Sequence, residues 1–221
     1  MSTVASTSTC PSITEAIERL KSRRLMLVLR TAETEDAIWA AETLIGTGFR
    51  VLDVTWGTPN AQDVIRHIRK NYPDVLVGAG TVMDVQTAEI ALEAGAQFML
   101  SPALEESVVR FARQQNVLIL PGVTTPTEIH QALKMGASAI KLFPAGRVGG
   151  PEYLKTILSP MPYVQAVVTG GVGPANFQAF LQAGAIAAGV GSELIRPETL
   201  KSRDVNALIQ GSTIYQPLLK H

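Results

Sequence analysis

Cysteine is almost absent from this sequence: Cys10 is the only one in 221 residues. A lone thiol cannot close an intramolecular disulfide, which fits a reducing compartment, so a cytoplasmic location is expected. Histidine is also scarce, at three scattered positions with no cysteine cluster, and this leaves no ligand spacing for zinc. Neither a metal nor another cofactor is expected. No run of eighteen apolar residues occurs, so no membrane span is predicted. Net charge is missing too. Lys plus Arg and Asp plus Glu number 19 each, so no field of one sign draws the chain to nucleic acid or lipid. Residues 2–9 (STVASTST) form a Ser/Thr tract without an apolar core or any arginine. We read residues 1–11 as an ordinary frayed terminus, with a vestigial transit peptide as the alternative.

What the sequence does have is a repeat. Hydrophobic residues make up 46% of the chain, enough to bury a strand layer inside a helix layer. Short apolar runs begin at Leu25 (LMLVLR), Val51 (VLDVTW), Val75 (VLVGAGTV) and Phe98 (FMLSP). Further runs begin at Val117 (VLILPGV), Ala139 (AIKLFPA), Ala166 (AVVTGGV) and Ile186 (IAAGVGS). They are too short for helices and too apolar for half-exposed strands, which suits parallel strands buried on both faces. Amphipathic stretches lie between them: Thr34–Leu44, Asn60–Asn71, Asp84–Ala94 and Glu105–Gln115. The later four, Pro126–Met135, Pro151–Leu158, Pro174–Gln182 and Pro197–Gln210, are each expected to open a helix with proline. Helix ends rhyme as well, in LIGTGF, LEAGAQ, LKMGAS and LQAGAI, each a glycine stop before a strand. Eight strand–helix units in strict alternation predict a (β/α)₈ TIM barrel over residues 12–221, forming one catalytic domain. Ser12–Ser22 reads as an extra N-terminal helix able to plug the barrel. An open doubly wound sheet is the structural alternative.

Barrel chemistry sits at the C-terminal ends of the strands, and the polar residues of this chain gather there. Among them Lys141 stands in the apolar strand AIKLFP. One reading has it snorkelling outward to water, although helices cover that face. The other has it inward, where burial depresses its pKa toward the neutral, nucleophilic amine that imine formation requires. Small residues end the seventh and eighth runs, at Gly170 and Gly171 and again at Gly191 and Ser192. Backbone N–H groups there can close on a phosphate, and Ser192 could start a short helix whose N-terminus attracts it. Plain turns are the alternative.

The segments VLDVTWGTP, VGAGTV, FMLSP, PGVTTPTE, IKLFPA and VVTGGV together resemble the 2-keto-3-deoxy-6-phosphogluconate (KDPG) / 4-hydroxy-2-oxoglutarate aldolase family, class I. They occur in that family's order and spacing from about Leu25 to Ser192. The K-[FL]-F-P-A element with a downstream T-G-G is specific; a lone GAGT would not be. The resemblance implies that Lys141 is the Schiff-base lysine and that Phe143 and Pro102 wall the pyruvyl group. It implies that Thr81 and Thr169 bind the substrate carboxylate or hydroxyls, with Thr55 beside them, and that the molecule is a homotrimer. Core packing is the plainer reading for Phe143 and Pro102, and Trp39 is a candidate apolar side chain left exposed for assembly.

The chain departs from the family on its second strand. Where a segment like L-E-V-T-x-R is usual, this chain has Leu52-Asp53-Val54-Thr55-Trp56-Gly57. The carboxylate of Asp53 is withdrawn by about 1.5 Å, within reach of one bridging water. Such a misplacement can cost about 10²-fold. A loop cap is the alternative role for Asp53. The arginine expected at Gly57 is missing, and Arg30, at the end of the first strand, could grip a carboxylate in its place, unless it merely pairs with Glu33. Three functions remain open: aldol cleavage, decarboxylation of oxaloacetate through the same lysine imine, and a non-catalytic barrel that binds a phosphorylated metabolite.

Overall fold

A computed structural model describes residues 10–219. The expected frayed tail thus lies, up to residue 9, outside the described residues. Helix α1 (Ile13–Arg23) starts behind Ser12, whose hydroxyl accepts a hydrogen bond from the Glu15 N–H at 3.2 Å. It stops at Arg24, which adopts the left-handed conformation with φ 59°. Ala16, Ile17 and Leu20 share one helical face and are buried with Met26, Val51, Leu118 and Val167 inside the barrel. The helix therefore plugs the barrel's N-terminal end. Full burial of each large aliphatic side chain there contributes roughly 1.5–3 kcal/mol.

The strands are β1 (Leu25–Leu29), β2 (Val51–Thr55), β3 (Leu76–Gly80), β4 (Phe98–Leu100) and β5 (Leu118–Leu120), followed by β6 (Gly122–Val123), β7 (Ile140–Leu142), β8 (Ala166–Val168) and β9 (Ala187–Val190). All pairings are parallel, in the order β5-β4-β3-β2-β1-β9-β8-β7-β6. β5 and β6 are halves of one predicted run, divided at Pro121, which has no N–H to give to a ladder. The Pro121 carbonyl still accepts from the Lys141 N–H at 2.9 Å, so the chain joins β5 to β6 and closes the ring. The fold is the predicted (β/α)₈ barrel.

Strand alternation sorts the side chains. On β2, Leu52 and Val54 pack outward beneath the helices, while Val51 enters the barrel's inner core. The outer helices are α2 (Thr34–Gly46), α3 (Ala61–Asn71), α4 (Val85–Glu93), α5 (Glu106–Gln114), α6 (Pro126–Met135) and α7 (Gly150–Leu158), then α8 (Phe177–Gln182), α9 (Pro197–Ser202) and α10 (Val205–Ser212). A 3₁₀ turn (Thr213–Tyr215) and α11 (Gln216–Leu219) follow. No helix among the described residues is long and apolar enough to cross a membrane.

Four expectations need correction. The helix expected from Pro174 begins only at Phe177. The Asn176 side chain accepts from the Gly173 N–H at 3.0 Å and donates to the Gly171 carbonyl at 2.9 Å, which holds a turn in place of the first helical turn. Pro151 does lie in the first turn of its helix, but that helix opens at Gly150. The final predicted helix breaks at Arg203, whose left-handed backbone (φ 52°) ends α9, and Asp204 caps α10 by accepting from the Ala207 N–H at 3.0 Å. Trp39 is only partly exposed. It packs against the core, and the Arg203 guanidinium lies 5.7 Å from its ring centre, anchored by an ion pair to Asp36 at 2.9 Å.

Candidate active site

A cavity of about 660 Å³ opens at the C-terminal ends of the strands, a size suited to a small metabolite. All twelve residues singled out in the sequence line it: Lys141 and Asp53; Arg30, Thr55, Thr81, Pro102, Phe143 and Thr169; Gly170, Gly171, Gly191 and Ser192. Gly57 lies apart, in a shallower groove with Trp56 and Thr58. Among the described residues, no three His, Cys, Asp or Glu side chains gather into a group that could hold a metal ion.

Lys141 owes its place to alternation along β7. Ile140 and Leu142 pack into the outer core, so the lysine between them points into the barrel, where it is 7% exposed. Burial lowers its pKa; the Asp53 carboxylate opposes that shift, and the Arg30 charge adds to it. The ammonium also stands 4.7 Å from the Phe143 ring centre, a contact that favours the charged form.

Asp53 reaches the cavity the same way, between outward Leu52 and Val54, and is 2% exposed. Burial raises its pKa to about 6 against the opposing charges of Lys141 and Arg30. The two groups feel each other electrostatically without closing to an ion pair within 4.0 Å. Asp53 caps no loop: its Oδ1 is buried without a hydrogen-bond partner. The hydroxyls of Thr55 and Thr169 are likewise buried and unpartnered, and both residues line the cavity. Desolvated polar atoms left unpaired carry a penalty that a polar ligand would relieve.

Arg30 forms no ion pair with Glu33. Its Nη2 instead donates to Thr81 Oγ1 at 3.4 Å, and Thr81 turns out of β3 in the left-handed region (φ 63°). Phe143 and Pro102 are only partly buried and wall the cavity, so neither is a core residue. The Phe143 carbonyl is fixed by the Thr124 hydroxyl, which donates to it at 3.0 Å. Thr124 in turn is held by a capping box, in which the Glu128 carboxylate accepts from the N–H groups of Thr124 and Thr125 at 2.9 and 2.7 Å.

After β8, Gly170 and Gly171 have φ of 80° and 75°, which side chains rarely tolerate. A Cβ on Gly170 would also stand 2.8 Å from the Phe143 ring. The helix expected at Ser192 is a single turn, in which the Leu194 and Ile195 N–H groups both bond the Gly191 carbonyl, at 2.9 and 2.8 Å. Helical structure resumes only at Pro197, where proline suits a first turn. Gly189 also lines the cavity, and Val28, Val172, Ile195 and Pro197 complete the lining and were not anticipated. The alternation that sends Met26 inward and Arg30 to the rim would have identified Val28.

This arrangement sets a buried amine of lowered pKa beside a carboxylate of raised pKa. A guanidinium follows β1, and the small-residue loops follow the neighbouring strands β9 and β8. Such a site can add an amine to a carbonyl and move protons around the adduct.

Comparison with known proteins bears on this chemistry. The family model described as KDPG and KHG aldolase matches residues 16–210. A 2-dehydro-3-deoxy-phosphogluconate aldolase of Treponema pallidum is 37% identical over 202 residues, covering 90% of this chain and 95% of that protein. A KDPG aldolase from Legionella pneumophila, solved with pyruvate captured at low pH as a covalent carbinolamine intermediate, superposes with a TM-score of 0.83. It is 28% identical, over 92% of this chain and 97% of its own. A cube-shaped protein cage, designed by fusing symmetric oligomeric domains, matches with a TM-score of 0.79 at 28% identity, over 88% of this chain and 71% of the cage chain.

Proposed function

The chain belongs to the KDPG and KHG aldolase family, and we propose that it is a class I aldolase in which Lys141 forms the imine and Asp53 moves the protons. It is a carbon–carbon lyase acting on a small molecule. The reading takes KDPG as substrate, cleaved to pyruvate and glyceraldehyde 3-phosphate, with 4-hydroxy-2-oxoglutarate as a second substrate. Residues 12–221 serve as the single catalytic domain, in the cytoplasm.

The observation that carries the reading is the inward, 7% exposed amine of Lys141, with its pKa lowered by burial. The neutral amine adds to the C2 carbonyl, and loss of water from the carbinolamine leaves an iminium. Asp53 takes the proton of the C4 hydroxyl, the C3–C4 bond breaks, and its electron pair flows into the iminium to give an enamine. The aldehyde leaves, C3 is protonated, and water releases pyruvate and restores the amine. Thr55, Thr81 and Thr169 supply hydroxyls to the substrate, while Pro102 and Phe143 enclose its pyruvyl end. The loops at Gly170, Gly171, Gly191 and Ser192 receive the phosphate through backbone N–H groups.

Borohydride reduction in the presence of pyruvate tests this reading. One pyruvyl adduct on the peptide containing Lys141 is expected; labelling of a different lysine, or of none, would falsify it. Arg30 takes the substrate carboxylate in place of the arginine missing at Gly57. Arg30→Ala should raise KM about 10- to 100-fold, corresponding to a charged contact of about 1.5–3 kcal/mol. An unchanged KM for both KDPG and oxaloacetate would remove Arg30 from the site.

We read the assembly as a homotrimer. The family resemblance supports this, as does the use of a related domain in a cage of symmetric oligomers. Beyond the partly buried Trp39, the apolar side chains available for assembly include Val205, Ile209 and Ile214, which are exposed. Light scattering should find three copies of the 23.6 kDa chain; a particle of one chain's mass refutes it.

A further inference from the structure

β3 carries glycine at Gly78 and Gly80, two positions on the same face of the strand. Both are buried and neither has a positive φ, so backbone freedom explains neither of them. What each would collide with differs. A Cβ on Gly78 would stand 2.6 Å from the Phe98 ring. A Cβ on Gly80 would stand 2.7 Å from Oδ2 of Asp53 and 2.8 Å from its Cγ, and Oδ1 lies closer still. In the β2–β3 register Asp53 pairs with Gly78 and Thr55 with Gly80, so the Asp53 carboxylate leans diagonally along the sheet over Gly80. No hydrogen bond holds Oδ1 there. Besides the attraction of Lys141 and Arg30, the carboxylate rests against the barrel wall, and Gly80 is the part of that wall cut away.

We propose that Gly80 is a positioning residue for the lyase reaction: the vacant side-chain site on β3 seats the Asp53 carboxylate within reach of substrate held at Lys141. The proposal rests on the reading of Asp53 as the proton-transfer group. With the seat filled by a methyl, the short Asp53 side chain must swing off the wall toward the cavity mouth. There it meets more water and lies farther from the imine carbon's neighbours. Lys141 and Arg30 are the charged groups that face it.

A cycle of four proteins tests this (the natural sequence, Gly80→Ala, Asp53→Ala and the two combined), with Gly78→Ala in both Asp53 backgrounds as the control. Gly80→Ala should lower kcat about 10- to 100-fold while KM moves less than about threefold, as expected for a misplaced proton-transfer group. The acid limb of its pH profile should move to lower pH as the carboxylate gains solvent. In the Asp53→Ala background the same change should cost no further activity, and its effect on Tm should largely vanish because the methyl then has room. Gly78→Ala, which meets a ring instead, should lower Tm equally with and without Asp53. Equal losses from Gly80→Ala in both backgrounds, or an unchanged kcat, would overturn the proposal. If Gly80→Ala does not fold, recovery of folding in the double variant supports the seat, and failure to recover overturns it. Full activity in Asp53→Ala alone would instead sink the reading of Asp53, before Gly80 enters.

Discussion

Lys141→Arg is expected to reduce aldol cleavage by roughly 10⁴-fold or more, the scale seen when a covalent nucleophile is removed from a working site. A guanidinium keeps its proton at any pH the protein survives, so it offers no lone pair to the C2 carbonyl. It also cannot relieve its own burial as lysine does by shedding a proton. The lowered pKa of Lys141 has a definite sign for stability. Charging the buried amine costs free energy, and that cost is present below its folded pKa and fades as pH rises toward the ordinary lysine value. Arginine would carry the cost at every pH, so some loss of Tm should accompany the loss of turnover. The two effects separate cleanly by measuring kcat together with circular dichroism and thermal unfolding. A folded Lys141→Arg protein that keeps more than about one hundredth of the activity would place the nucleophile elsewhere.

The fold was legible because barrel strands are buried on both faces and so read as uniformly apolar runs, each followed by an amphipathic helix. The site was legible for a related reason. A polar residue inside or at the end of such a run, as at Asp53, Lys141 or Thr169, has nowhere to go but the barrel mouth. What was not legible depended on single side chains acting across the fold. The break at Arg203 comes from one left-handed residue in a stretch of good helix formers. Trp39 is partly covered by that same distant arginine, which no local pattern reveals. The late start of α8 comes from the Asn176 side chain bonding the backbone on both sides of a turn. Gly80 was visible only as part of a glycine-rich segment, because the object it makes room for lies on the neighbouring strand.

Asp53→Asn should separate two reactions that share one imine. Oxygen replaced by an amide nitrogen leaves the side chain's size unchanged, so it still fits its place on the barrel wall, but an amide does not accept the C4 hydroxyl proton. KDPG cleavage should fall about 10²- to 10⁴-fold, the usual contribution of a positioned general base. Decarboxylation of oxaloacetate needs the iminium as electron sink but releases carbon dioxide without any hydroxyl proton to remove. It should therefore fall by less than about tenfold. The pH dependence carries the same signature. Burial raises the Asp53 carboxyl to about 6, and it serves as a base only when ionised. Aldol cleavage should thus decline below about pH 6 in the natural protein, with the apparent value belonging to the coupled Asp53–Lys141 system. In Asp53→Asn that limb should be missing from whatever activity remains. The stability sign runs the other way from an ordinary salt-bridged aspartate. The buried carboxylate costs stability once ionised, a cost fully present above about pH 6 and relieved as pH falls toward the ordinary carboxyl value, so Asp53→Asn should raise Tm at neutral pH. Equal loss of both activities in a folded Asp53→Asn protein would show that Asp53 acts in forming the imine itself. The division between cleavage and decarboxylation would then have to rest on another group.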